Sequence, residues 1–405
     1  IGPGSAWYVG KNNNHSQKTA YLTNTAEGEL AVRKYIINRY LLHKGNYSEG
    51  KLFVTRSVDE NGNKKYQFTD KNGRPILYRQ MKDSIPHDTY YVYDPTGNLR
   101  YILSPEASQI CSVRDKAYTD AVIGKYTYIY KYDDHKQRIS FQPPGCDPVY
   151  YVYDRLGRMV LAQTGNQRQK KEWSYPKYDR KDRPCQTGIW TTTMSHSQLQ
   201  AQFSDITVRE DRETTQGGEN TNLGYTNDSE PRQQLRPRSA IYYDTYAFIP
   251  PGHTFTPESG YDPCWEHANG LQTGNCTLIP RTGQKLYTTL YYDAKGRVVQ
   301  TVTDNIKGGT DRESYAYNFS GDPVKKKTLH TVPGQPPVTE EYTYAYDHAR
   351  RLTETKHSLN GKTPKTILTL QYDELGRIKR KDQENVSTGY TYNIRSWIRI
   401  GRAHV

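Results

Sequence analysis

The stretch that decides the fold is the octet Tyr151–Arg158, which reads YVYDRLGR and is followed by Met-Val-Leu. In a β-strand, Tyr151 and Tyr153 point to the same face because alternate side chains share a face. Asp154 and Gly157 match the first and fourth positions of a type I turn. A left-handed glycine at that place commonly joins two strands into a hairpin with a bulge. The octet therefore predicts a strand, a turn and a return strand, whose Arg158 could lie over a tyrosine face.

The same pattern recurs along most of the chain. Turn residues of successive copies lie roughly 20–30 positions apart, a spacing that is typical of repeat architectures. One hairpin cannot bury its tyrosine face alone, so stacking against its neighbours is expected to stabilise it. The residues that we assign to the motif are Tyr91, Tyr93, Asp94, Gly97, Tyr151, Tyr153, Asp154, Gly157, Arg158, Tyr178, Asp179, Tyr292, Asp293, Gly296, Arg297, Tyr346, Asp347, Tyr372, Asp373, Gly376 and Arg377.

The composition has to be reconciled with an ordered chain. The protein has 405 residues and a net charge of +13. Leu, Ile, Val and Phe make up only about 17% of it, a level that with high net charge favours disorder. However, 37 tyrosines stand against 7 phenylalanines, and tyrosine supplies a large apolar face that suits strands. Regularly placed tyrosines therefore predict thin layers of sheet, and the fold class is all-β.

The repeat pattern divides the chain into five segments. Residues 1–50 lead into the repeat region, and residues 51–190 and 286–399 are two stretches of the repeat array. Residues 191–285 break the period and are interpreted as an elaborated insertion with long loops, while a separate small domain is the less favoured alternative. The insertion permits one short helix within Thr191–Asp205. Residues 400–405 match a reading frame of a common sequencing adapter and are interpreted as an artefact.

The octet is the YD repeat, and the chain resembles the bacterial RHS/YD-repeat proteins. The agreement extends to Asp59–Gly62, Phe68–Arg74, Gly270–Gly274 and Tyr390–Arg395, and it covers nearly all of residues 1–399. The resemblance implies hairpins wound into a spiral β-sheet shell, here partial, with one irregular insertion. It also implies a secreted or surface-exposed protein.

In that family the shell typically encloses a variable C-terminal effector, often a toxin. A core segment after the repeats ends the shell and, in several members, cleaves the effector free autoproteolytically. Animal teneurins use a similar barrel in adhesion. The chain is interpreted as an internal fragment that lacks the core and the effector, so the implied partner is its own missing C-terminal part. No protease aspartates can be carried over to this sequence.

No catalytic, cofactor-binding or metal site is expected. Turn aspartates spaced by a whole repeat are expected to accept backbone N–H bonds in their own turns, whereas acid–base catalysis needs carboxylates that converge. Cys264 and Cys276, with His253 and His267, leave three alternatives open: zinc, a disulfide, or neither. The five cysteines form no disulfide framework. The main phosphate-binding, esterase and zincin signatures are missing.

Basic residues occur in small clusters such as Lys325–Lys327 and Arg377–Lys381. We interpret them as a solvated outer face that alternates with tyrosines facing inward. Nucleic acid is not expected as a partner, but surface glycans are an open alternative because long-range attraction needs only net charge. No apolar stretch approaches the roughly 20 residues that span a membrane, and no signal peptide is recognised. The favoured function is a non-enzymatic scaffold, and the alternative is a surface adhesion or carbohydrate-binding module.

Overall fold

The computed structural model describes residues 17–59, 62–212, 222–393, 396–399 and 403–404. Residues 1–16 of the predicted leading segment, and residues 400–402 and 405 of the predicted adapter segment, lie outside the described residues. The chain forms two compact units, which consist of Ile1–Trp173 with Thr191–Thr207 and of Ser174–Trp190 with Val208–Val405.

In its described residues, the first unit contains short strands with four α-helices between or after them. Its strands are β1 (Lys18–Thr23), β2 (Arg33–Ile37), β3 (Leu41–Asn46), β4 (Phe53–Val58), β5 (Lys64–Thr69), β6 (Pro75–Lys82), β7 (Ile85–Tyr93), β8 (Leu99–Leu103), β9 (Ala117–Tyr118), β10 (Thr127–Tyr132), β11 (Arg138–Gln142), β12 (Val149–Tyr153) and β13 (Met159–Gln163). Its helices are the 3-10 turn Gly28–Leu30, α1 (Pro105–Ile110), α2 (Asp120–Ile123), α3 (Gly165–Gln169) and α4 (His196–Phe203).

The strands of this unit form antiparallel hairpins in chain order. β4 pairs with β1 and β5, and pairing continues from β5 through β8, then from β8 to β10 and on to β13. β2, β3 and β9 form a separate small sheet. Buried residues from both sheets and from α1 form one core, which includes Leu41, Phe68, Tyr90, Leu103 and Cys111.

Local capping explains helices that the repeat pattern does not predict. α1 begins after Ser104, whose hydroxyl accepts the Ala107 N–H, with Pro105 at the first helical position. Thr164 and Gln167 form a reciprocal capping box at the start of α3. Both short helices lie within 51–190, where only repeats were predicted. α4 lies in the stretch for which the sequence permits a helix, and it begins with a second capping box.

In its described residues, the regular elements of the second unit are all strands, joined by turns and by two long stretches without regular structure. After β14 (Glu172–Tyr178) and β15 (Pro184–Thr191), which contain residues of both units, its strands are β16 (Leu235–Asp244), β17 (Ala268–Leu278), β18 (Lys285–Tyr292), β19 (Val298–Asp304), β20 (Thr310–Tyr317), β21 (Pro323–His330), β22 (Val338–Tyr346), β23 (Leu352–Leu359), β24 (Lys365–Tyr372), β25 (Ile378–Gln383), β26 (Val386–Gly389), β27 (Thr391–Tyr392), β28 (Ile398–Arg399) and β29 (Ala403–His404). Each strand from β15 to β25 pairs antiparallel with the next one. The predicted all-β class is confirmed.

The prediction that the motif tyrosines face the core is wrong in the octet itself. Val152 is fully buried, whereas Tyr151 and Tyr153 on the other face are half-buried. The same holds where Val92 and Ala316 stand between two tyrosines. A small aliphatic residue fits a dry interior, while the tyrosine rings keep their hydroxyls near backbone carbonyls at the half-exposed face. In the described part of the chain, no helix has the length and apolar character needed to cross a lipid bilayer.

Candidate functional site

The turn that ends β18 gives the geometry of one repeat. The Asp293 N–H donates to the Arg297 carbonyl at 2.9 Å, and the Gly296 N–H donates to the Asp293 carbonyl at 3.0 Å. Asp293 Oδ1 accepts the N–H groups of Lys295 and Arg297 at 2.8 and 2.9 Å. Gly296 has φ +75°, as does Gly157 in the octet, and a register shift precedes each turn. The predicted hairpin with a bulge is therefore confirmed.

In six of the described turns, the carboxylate also holds the arginine four residues later. Asp293 Oδ2 accepts from Arg297 Nε at 2.6 Å. The same bond, at 2.7–3.0 Å, joins Asp70 to Arg74, Asp154 to Arg158, Asp179 to Arg183, Asp347 to Arg351 and Asp373 to Arg377. At Asp94 the fourth residue is Asn98, whose amide replaces the guanidinium at 3.1 Å. Both carboxylate oxygens are thus used within their own turn.

The arginine then contacts a tyrosine of a later strand. The guanidinium carbon lies 4.5 Å from the ring centre in the pair Arg297 and Tyr317. It lies 4.1–4.9 Å from the ring centre in Arg74 and Tyr93, Arg183 and Tyr243, Arg351 and Tyr372, and Arg377 and Tyr392. The Tyr317 hydroxyl donates to the Val298 carbonyl at 2.7 Å, directly after the arginine. The hydroxyls of Tyr243, Tyr372 and Tyr392 likewise donate to the carbonyl of the residue directly after the arginine that each ring contacts.

We call these sets of turn Asp, turn Arg and later Tyr the turn ladder. Its members are Asp70, Arg74 and Tyr93; Asp179, Arg183 and Tyr243; Asp293, Arg297 and Tyr317; Asp347, Arg351 and Tyr372; and Asp373, Arg377 and Tyr392. Each set ties one hairpin to a later strand through a carboxylate and a cation–π contact. In the four sets that contain Tyr243, Tyr317, Tyr372 and Tyr392, the tyrosine hydroxyl also donates to a carbonyl.

The electrostatics of the ladder favour ionised carboxylates. Burial alone raises the pKa of Asp293, but the N–H groups of Arg297 and Lys295 and the Arg297 guanidinium outweigh it, so the pKa is lowered. Asp70 and Asp373 follow the same balance. For Asp347 the Arg351 N–H is the leading cause of the lowered pKa. A carboxylate fixed in its charged form by its own turn serves structure, because acid–base catalysis needs a group that changes its protonation.

The remaining motif tyrosines make related contacts. The Tyr151 ring lies 5.1 Å from the Arg138 guanidinium, and the Tyr153 hydroxyl donates to the Arg138 carbonyl at 2.8 Å. The Tyr346 hydroxyl donates to the Pro323 carbonyl at 2.9 Å. Tyr292 is buried and donates to the Gln272 carbonyl. Tyr91 and Tyr178 are half-buried.

Turns that lack the glycine keep the same backbone. The residue in the glycine position is Lys136, Asp182, Arg350 or Ser396 in four copies, and its φ lies between +60° and +63°. Non-glycine residues rarely adopt this region, because the Cβ crowds the backbone there. The surrounding turn bonds therefore impose the conformation on these residues.

Residues 245–267, which we call the strap, cross one face of β18–β21. Arg312 donates to the carbonyls of Gly252 and Thr254, and Gln300 exchanges two hydrogen bonds with the backbone of Thr256. Lys327 forms an ion pair with Glu258. The sequence predicts an elaborated insertion with long loops here but not these contacts, because no periodic pattern marks a loop that is held by distant polar side chains.

His253 anchors the strap with both of its ring nitrogens. Its fully buried ring bonds Thr289 Oγ1 at 3.1 Å and Asp304 Oδ1 at 2.9 Å. Cys264 and Cys276 are free thiols, so the disulfide alternative is not formed, and burial raises the pKa of Cys276 to about 11. Among the described residues, no cluster of three or more His, Cys, Asp or Glu side chains is arranged to hold a metal ion.

A buried ion pair was also missed. Lys177 Nζ lies 2.6 Å from Glu210 Oε1, and both side chains are buried. Burial lowers the pKa of Lys177, while the pair and the Ser229 and Thr226 hydroxyls lower that of Glu210 despite its burial. The sequence does indicate that Lys177 is buried, because it lies on the same face of one strand as two large aromatic residues, Trp173 and Tyr175.

No protein-family model matches the chain, and no curated protein matches its sequence. Among solved structures, it is similar to a chain of the TcdB2-TccC3 crystal structure, with a TM-score of 0.55 and 13% identity, over 92% of this chain and 16% of that one. It is also similar to chains of TcdB2-TccC3-Cdc42 and of the Photorhabdus luminescens Tc holotoxin pore. For TcdB2-TccC3-Cdc42 the TM-score is 0.38 at 13% identity, over 90% of this chain and 18% of that one. For the holotoxin pore the TM-score is 0.27 at 11% identity, over 92% of this chain and 24% of that one. The first likeness supports the all-β fold of consecutive hairpins.

Proposed function

We propose that the chain is a non-enzymatic structural scaffold, a wall segment of an RHS/YD-repeat β-shell that encapsulates and helps to deliver a C-terminal effector. The observation that carries the proposal is the turn ladder. Its charged and aromatic groups are committed to binding one hairpin to the next, as a wall requires.

The chemistry of the turn residues supports a structural role over an enzymatic one. Asp293 and its counterparts hold their own backbone turns and their own arginines. The buried Lys177 and Glu210 likewise satisfy each other, together with Asn227 and Ser229. We infer that these groups stabilise the fold.

The likeness to a TcdB2-TccC3 chain supports a fold of the toxin-shell kind, although this chain spans only 16% of that chain's length. Encapsulation, delivery and secretion rest on that fold and on the YD-repeat resemblance. The partner would be a C-terminal effector of the same protein.

Protease protection of the complete gene product tests this function. We expect the segment that follows residue 399 to resist a protease that digests it when it is expressed alone. A variant that opens the ladder, Arg351→Ala with Tyr372→Ala, should expose that segment. The matched variant Arg281→Ala with Lys325→Ala, at exposed positions outside the ladder, should not. Equal digestion of the free and the connected segment would reject encapsulation.

The second candidate is a surface adhesion or carbohydrate-binding module. It is favoured by the net charge of +13 and by exposed lysines such as Lys325. Saturable binding to an anionic glycan array, lost at moderate salt, would support it. A protected C-terminal segment without glycan binding would support the scaffold.

A further inference from the structure

An aromatic cleft of about 510 Å³ lies between the strap and β18. Its walls include Tyr246, Phe255, Tyr261, Glu266 and Tyr291. We propose that this cleft binds an organic cation, namely an alkylammonium group with an apolar body. The proposal does not rest on the scaffold function, and neither depends on the other's outcome.

Three rings form an aromatic corner in the cleft. Tyr246 stacks on Tyr291 with ring centres 4.8 Å apart and planes at 19°, and Phe255 meets Tyr291 at 5.5 Å and 60°. The hydroxyls are already used, since Tyr246 donates to the Leu290 carbonyl and Tyr291 to the His253 carbonyl. Tyr291 is buried, whereas Tyr246 and Phe255 are only half-buried, so their rings leave aromatic surface open to the cleft, and its negative quadrupole attracts cations.

Carboxylates at the same cleft add negative charge. Glu258 is paired with Lys327, and Asp262 accepts the Tyr317 N–H and lies 3.6 Å from Arg297. Glu266 is exposed and forms no ion pair or hydrogen bond with any residue in the described ranges. One carboxylate is therefore left to meet a charge that the ligand brings.

Two other ligand classes fit less well. An anion would meet the carboxylate of Glu266, which is unpaired among the described residues, and electron-rich ring faces. A sugar needs several free donors and acceptors that converge on its hydroxyls, whereas Tyr246, Tyr291, Glu258 and Asp262 have their polar atoms engaged. An organic cation with an apolar body and few hydrogen-bonding groups can contact the open aromatic surface and the Glu266 carboxylate, which has no other partner in the described part of the chain.

The cleft is also held in shape before any ligand arrives. On one side, Thr256 exchanges hydrogen bonds with Gln300. On the other, the Trp265 N–H donates to the Tyr292 carbonyl and the Asp262 N–H to the Tyr315 carbonyl. A preorganised pocket loses little ordering entropy on binding, so a small ligand can bind it measurably.

The test compares choline with 3,3-dimethyl-1-butanol (dimethylbutanol), which has a tert-butyl group in place of the trimethylammonium group and carries no charge. Binding is measured by saturation-transfer NMR and calorimetry on the full chain. We expect choline to bind in the millimolar range or tighter and dimethylbutanol to bind about tenfold more weakly. The variant Tyr261→Leu, which removes a ring face but keeps apolar volume, should weaken choline more than dimethylbutanol.

Charge controls separate a local site from a general field. Glu266→Gln should weaken choline about fivefold or more and leave dimethylbutanol unchanged. Glu374→Gln makes the same change in net charge at an exposed turn tip away from the cleft and should have no effect. Equal binding of the two ligands, no choline binding at millimolar concentration, or equal effects of the two variants would each overturn the proposal.

Discussion

The guanidinium carbon of Arg351 lies 4.6 Å from the centre of the Tyr372 ring, one hairpin further along the chain. Arg351 is held from the other side by Asp347, and the Tyr372 hydroxyl donates to the Leu352 carbonyl at 2.8 Å. Because one arginine contacts both the turn and the later strand, its energetic coupling to the tyrosine can be measured.

A double-mutant cycle tests this contact. We expect Arg351→Met and Tyr372→Leu to show a coupling free energy of about 0.5–1 kcal/mol, the size of a cation–π contact at a partly exposed site. Urea unfolding of the four proteins gives the value. The same cycle with Arg281, an exposed arginine outside the ladder, should give no coupling. Additive effects in the first cycle would show that the contact contributes nothing.

Gly296→Val should lower the free energy of unfolding by about 1–2 kcal/mol, because a β-branched residue is strained at φ +75°. A Cβ at this position meets no atom within 4 Å, so the cost comes from the backbone alone. Ala294→Val in the same turn is the control and should be nearly neutral. Equal shifts in the urea midpoint would contradict the left-handed bulge.

Lys136→Gly should stabilise the protein. Lys136 has φ +63° and is exposed, so glycine relieves strain without removing a packed side chain. We expect a gain of about 0.5–1 kcal/mol after the extra entropy of the unfolded glycine is subtracted. His135→Gly, one residue earlier and outside the positive-φ region, should instead destabilise. A loss of stability at both positions would mean that the Lys136 backbone is unstrained.

Acid should weaken the ladder through its aspartates. The pKa of Asp293 in the folded protein lies below the unfolded value of about 3.9, so its contribution is present above about pH 4 and is lost as pH falls through the folded pKa. Asp293→Asn should therefore flatten the pH dependence of stability below pH 4, as measured by urea unfolding. Asp134→Asn, at an exposed turn position, should leave that slope unchanged.

Lys177→Met should be strongly destabilising. It leaves Glu210 buried and without its cation, a change that typically costs about 3–5 kcal/mol. Lys325→Met, at an exposed lysine, is the matched control and should change the free energy of unfolding by less than about 0.5 kcal/mol. If the two variants unfold at the same urea concentration, the ion pair does not support the fold.

The turn residues made the hairpins predictable from the sequence, whereas the buried face of the octet strand β12 was not predictable. Asp154 and Gly157 act within four residues, so their spacing alone specifies the turn and the bulge. In contrast, Tyr151 and Val152 are both apolar enough to be buried, and a two-residue period does not say which face meets the core. The packing against other strands decides for Val152.

The strap could not be read from the sequence for a different reason. Arg312 and Thr254 lie 58 residues apart, and their bond depends on where the fold brings them. The burial of Lys177 could be predicted from the sequence, because Lys177 alternates with Trp173 and Tyr175 along one strand and therefore lies on the same, inward face. Polar residues on an apolar face are therefore the more informative exceptions in this chain.

The turn ladder also bears on how such a chain can change its length. A set such as Asp347, Arg351 and Tyr372 joins a hairpin to the strand that follows it. A duplicated hairpin placed between two sets would bring its own aspartate and arginine and would accept its neighbour's tyrosine. Gene duplication can therefore add whole hairpins without new compensating substitutions, whereas insertion of a single residue into a strand would move the later tyrosines of that strand to the opposite face.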